Sequence, residues 1–105
     1  MKDRIEKKSK SLKSAIERYN EYKHFVDCYK SNNNLDAYIE HIRSNAKSLS
    51  KNLLEKYDQM IDCYKCGNIE PLLSNLYDRL LAADEYKEKV SNELKVLLRE
   101  YENKT

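Results

Sequence analysis

The chain of 105 residues holds one glycine and one proline, Gly67 and Pro71, and both fall in the same short stretch. Sandwiches and barrels need turn punctuation about every 8–12 residues, so an all-β architecture is excluded by that scarcity alone. A glycine-rich phosphate loop is excluded for the same reason. The only other break is Ser31-Asn32-Asn33-Asn34, a run of turn and cap formers. In the second break, Cys66-Gly67-Asn68-Ile69-Glu70-Pro71, the glycine suits the left-handed position after a helix and the proline suits the first turn of the next. Three segments of matched length remain, residues 2–31, 35–66 and 71–102. Equal lengths joined by short loops make antiparallel neighbours.

Each segment carries an apolar stripe at helical spacing. Ile5, Leu12, Tyr19 and Val26 recur every seven residues in the first, and Ala15, Tyr22 and Tyr29 fill the second seam position, with Lys8 as its weak spot. Leu35, Ile39, Ile42, Ala46, Leu49, Leu53, Tyr57, Met60 and Tyr64 step by three or four through the second. Leu73, Leu76, Leu80, Ala83, Val90, Leu94, Leu97 and Tyr101 do so through the third, interrupted by Lys87. Such spacing keeps one face of each helix against its neighbours. The expected fold is therefore all-α: a single helical domain built as an antiparallel up-down-up three-helix bundle with coiled-coil-like packing. Ser44, Asn45, Ser48, Ser50 and Asn52 weaken the middle helix, because their side chains compete for backbone hydrogen bonds. A break within residues 44–52 would make four helices. Three helices of this length resemble the spectrin-repeat architecture, although the Trp typical of that family is absent here. In size and charge the chain is similar to the small helical chaperones of bacterial secretion systems.

The net charge of +2 conceals a split. Residues 1–13 carry six bases and two acids, whereas residues 55–105 carry eight bases and eleven acids. Nucleic-acid-binding domains usually show a basic excess throughout. Here only the patch Lys2, Arg4, Lys7, Lys8, Lys10 and Lys13 is basic, and it has no aromatic residue for stacking. Weak, salt-sensitive phosphate contact is the most it predicts. No run of about 18 apolar residues is present to span a membrane, and the charged start is unlike a secretory signal.

Three cysteines raise the question of zinc. Cys63 and Cys66 have knuckle spacing, and His24 and Cys28 share a helical face. In a three-helix bundle Cys28 lies at the opposite pole from Cys63 and Cys66, so a zinc-stabilised bundle requires the middle helix to fold back or two chains to share the metal. The alternative is three structural thiols in a reducing compartment, the cytoplasm. Neither His24 nor His41 has the neighbours of a nucleophilic triad, and no Glu-x-x-His pair exists for a di-iron centre. No enzyme activity, cofactor or resident metal is expected.

Apolar residues beyond the stripes remain: Leu54, Ile61, Leu72, Leu81 and Leu98, with nine tyrosines among which Tyr57 and Tyr64 lie on the middle stripe. They either widen the seam or form a patch for a partner. The function expected from this surplus is a protein–protein interaction module, a small chaperone or adaptor that binds a partner helix or self-associates. Its contact residues would be Leu54, Tyr57, Ile61, Tyr64, Leu72, Leu81 and Leu98.

Overall fold

The computed structural model describes residues 2–104, with the side chain of residue 104 excluded. Those residues are helical almost throughout: α1 (Lys2–Asn32), α2 (Asp36–Ser44), a 3₁₀ turn (Ala46–Ser48), α3 (Lys51–Lys65) and α4 (Glu70–Lys104). No strand occurs among them, and none of the helices is long and apolar enough to cross a membrane.

The two expected breaks end helices as their chemistry requires. Asn33 takes a positive φ of 58° after α1, and its N–H donates to the Tyr29 carbonyl at 2.7 Å. Asn34 Oδ1 then accepts from the Asp36 N–H (3.3 Å), so the asparagine side chain serves the start of α2. At the second break Gly67 has φ +98°, the Gly67 N–H donates to Tyr64 O (3.0 Å) and the Asn68 N–H donates to Cys63 O (2.9 Å). This paired closure gives donors to the Tyr64 and Cys63 carbonyls in the last turn of α3.

The middle segment is not one helix, which corrects the three-helix expectation. Its serines and asparagines take over the backbone partners. The Ser44 hydroxyl donates to Glu40 O and His41 O (2.9 and 3.0 Å), and Asn45 Nδ2 donates to His41 O (2.9 Å). The Ser48 hydroxyl donates to Asn45 O (2.8 Å). Ser50 then turns extended (φ −66°, ψ 156°), and its hydroxyl accepts from the Leu53 N–H, capping α3. The uninterrupted middle helix that carried the spectrin-repeat likeness is therefore absent.

The chain divides into two compact units, and α1 and α4 contribute to both. The larger runs from Lys23 to Arg79 and combines the end of α1, α2, α3 and the start of α4. Of the fourteen buried apolar residues among those described, ten lie in it: Phe25, Val26, Leu35, Tyr38, Ile39, Ile42, Tyr57, Ile61, Leu72 and Leu76. Here α3 doubles back on α2. The Leu35 N–H at the start of α2 donates to the Tyr64 hydroxyl at the end of α3 (3.0 Å). The Tyr38 hydroxyl donates to Asn75 Oδ1 on α4, and Phe25 of α1 packs its ring on Tyr38 (5.6 Å between centroids). A buried tyrosine hydroxyl needs such a partner, since leaving it unpaired would cost about 1–3 kcal/mol.

The second unit comprises residues up to Tyr22 and those from Leu80 onward, the outer halves of α1 and α4. The two run antiparallel: Lys8 meets Glu93, while Tyr19, further along α1, meets Lys87, earlier on α4. Its buried apolar residues, among those described, are Ala15, Ala83, Val90 and Leu97. Ala83, Val90 and Leu97 are seven apart, the repeat of a coiled-coil seam.

Candidate interaction faces

Both lysines that interrupt the stripes sit in the seam of this paired-helix unit, and both are satisfied. Lys8 Nζ donates to Glu93 Oε2 at 2.5 Å with both side chains partly covered. Lys87 Nζ lies 3.9 Å from the centre of the Tyr19 ring and 3.3 Å from Asp84 Oδ1. A long aliphatic stem can cover apolar surface while its ammonium meets a carboxylate or a ring face. The Lys8 hydrogen bond holds the Glu93 carboxyl below its usual pKa, with the Lys8 and Lys89 charges adding to the effect. A depressed carboxylate pKa stabilises the fold above the ordinary carboxylate range, and that contribution is lost as acid protonates the folded form. Glu93→Gln is therefore expected to lower the thermal midpoint slightly at pH 7 and to have no effect near pH 2. A gap between the two proteins that persists unchanged in acid, measured by circular dichroism, would contradict this reading.

Two helices alone cannot enclose a wide apolar face, and this pair leaves one uncovered. Leu94, Leu98 and Tyr101 stand at i, i+4 and i+7 on α4, and Ile5, Leu12, Ile16 and Tyr19 share one side of α1. Ile16 directly follows the buried Ala15, and Leu98 directly follows the buried Leu97. In an antiparallel pair, a step of about 100° past the seam turns both helices toward the same side. The two strips therefore form one flank, on which Ile16 is 40% exposed and Leu98 and Tyr101 are each 41% exposed. Of the seven large apolar side chains exposed among the described residues, six belong to this unit (Ile16, Leu81, Tyr86, Val96, Leu98 and Tyr101), and only Tyr77 belongs to the other.

The opposite flank carries a polar cleft. Lys10, Ser11, Ser14 and Arg18 of α1 and Tyr86 of α4 line a cleft of about 350 Å³ floored by Ala15.

The contact residues expected from sequence are distributed between core and surface. Tyr57, Ile61 and Leu72 are buried within the larger unit, at 6%, 3% and 0% exposure. Leu54 and Tyr64 are half-buried there, and the Tyr64 hydroxyl is engaged by the Leu35 N–H. The physical reason is the doubled-back α3, which is covered on more of its circumference than a straight middle helix would be. Leu81 and Leu98 are exposed in the paired-helix unit. In the basic patch, Lys2, Arg4, Lys7, Lys10 and Lys13 are exposed, whereas Lys8 is half-buried against Glu93.

The thiols also need a correction. Because α3 returns to the start of α2, its end lies near the loop that follows α1, so Cys63 and Cys66 do not stand at the opposite pole from Cys28. All three are free thiols. Cys28 Sγ is 3.5 Å from His24 Nε2, yet no group of three or more metal-ligating side chains assembles among the described residues. Phe25 packs against both histidines, its ring centre 6.0 Å from that of His24 and 5.0 Å from that of His41.

The chain matches no protein-family model, no curated protein and no solved structure.

Proposed function

We propose that this chain is a non-enzymatic protein–protein interaction module whose docking face is the apolar flank of the paired-helix unit, covered by the same face of a second copy. The exposed strip of Ile16, Leu98 and Tyr101, continued by half-buried Leu12, Tyr19 and Leu94, carries the reading. Burying the part of each side chain still exposed is favourable by about 1 kcal/mol, and two further helices would complete a four-helix layer around the seam.

Charge supports a second copy laid antiparallel. Residues 2–13 and 93–103, at one end of the unit, carry eight bases and five acids. Residues 14–22 and 80–92, at the other, carry three bases and five acids. A two-fold axis across the long direction places each basic end over the partner's acidic end, whereas the parallel arrangement stacks like on like. The hydrophobic strip supplies the affinity and the charge polarity sets the orientation.

Light scattering of the reduced protein during size exclusion, near about 20 μM, tests this by mass action. The expected mass is twice the 12.5 kDa of the chain, falling on dilution. A mass of 12.5 kDa at every concentration would overturn self-association and leave a partner's amphipathic helix as the only occupant of the same strip.

A further inference from the structure

We propose that the polar cleft between α1 and α4 of the paired-helix unit binds an elongated small anion carrying two or more phosphoryl groups. The site is separate from the docking face: it uses the opposite flank of the two helices, and either assignment can stand without the other.

Lys10, Ser14 and Arg18 are spaced by four, so they lie in a row on one side of α1, and Ser11 joins them one turn from Ser14. Tyr86 closes the row from α4. The lining therefore offers two cations and three hydroxyls with no carboxylate. No lining residue is acidic, although acids are frequent nearby in sequence at Glu17, Glu21, Asp84, Glu85 and Glu88. By contrast, the open cleft beside Phe25 and His41 in the larger unit includes Glu40. Among the described residues, neither Lys10 nor Arg18 is ion-paired, and the hydroxyls of Ser11, Ser14 and Tyr86 hold no partner. The whole donor set is thus available to a ligand.

Spacing selects the kind of anion. Eight residues of helix separate Lys10 from Arg18 by about 12 Å along the axis. One phosphate satisfies one cation and the Ser14 hydroxyl, whereas a chain of phosphoryl groups reaches both cations with the serines between them. Arginine pairs with phosphoryl oxygens in a fixed fork, and lysine supplies a point charge. A cleft of about 350 Å³ lies within the range of small-molecule sites.

The probe is inorganic tripolyphosphate, titrated into the protein at constant ionic strength by calorimetry, with orthophosphate in parallel. Saturable binding of one tripolyphosphate per chain is expected, at least about tenfold tighter than orthophosphate. The variant K10A/R18A should lose about tenfold or more in affinity, while K2A/K13A, which removes the same charge from exposed positions outside the cleft, should change it less than about twofold. Amide shifts in the unmodified protein should localise to Ser11, Ser14, Arg18 and Tyr86, a readout that does not depend on any variant folding. Equal weakening in the two double variants, shifts spread along residues 2–13, or no saturable binding would each overturn the site. None of these results bears on the mass measured by light scattering, so the two assignments fail separately.

Discussion

Leu72→Ala is expected to destabilise the protein by about 2–5 kcal/mol, among the largest effects of any conservative truncation. Leu72 is fully buried on the first turn of α4, and the equally enclosed Leu76 follows one turn later. Leu35, at 1% exposure, and Tyr38, at 2%, belong to the same unit. Removing three side-chain carbons forfeits their transfer energy and leaves a cavity that packed helices close only in part. Whole-domain stabilities are about 5–15 kcal/mol, so one truncation removes a large share. The measurement is urea unfolding followed by circular dichroism, with the midpoint displaced and the slope retained. Leu81→Ala is the control: at 57% exposure its truncation should stay within about 0.5 kcal/mol. A Leu72→Ala loss below about 1 kcal/mol would contradict the core described above.

Helix positions were legible because Gly67, Pro71 and the asparagine run are local signals, and capping chemistry acts within a few residues. The weakness at residues 44–52 was legible in the same way, since Ser44, Asn45, Ser48 and Ser50 make hydrogen bonds that span four residues or fewer. What that weakness does in three dimensions was not. The return of α3 is fixed by Tyr64 reaching Leu35 across 29 positions, and it turns Ile61 and Leu72, which lie beside the main stripes, into core. Lys8 and Lys87 break their stripes in sequence, yet neither breaks the packing. Glu93, 85 residues from Lys8, and the Tyr19 ring beneath Lys87 complete them from the other helix. The polar cleft left half a signal. The row Lys10, Ser14, Arg18 is readable as an i, i+4, i+8 pattern, but Tyr86 joins it only through the antiparallel pairing.

The double substitution I16E/L98E is expected to convert the proposed dimer to a monomer of 12.5 kDa without loss of helix content. Both residues are about 40% exposed in the single chain, so a charge there remains solvated and the fold tolerates it. In the dimer the same carboxylates would be drawn out of water without a partner, which is costly. An isologous interface contains every substitution twice. Losing about 1 kcal/mol of burial per site at four sites weakens association by about a thousandfold, since each 1.4 kcal/mol is about tenfold. Y86F and V96S test the face rather than hydrophobicity in general. Tyr86 lies on the cleft side, and Val96, which directly precedes the buried Leu97, falls on the flank away from Leu98. Both variants should remain dimeric. If I16E/L98E stays at twice the chain mass, the apolar flank is not the interface. If V96S dissociates as readily, contact runs over the opposite flank, where it would cover the Lys10–Arg18 row.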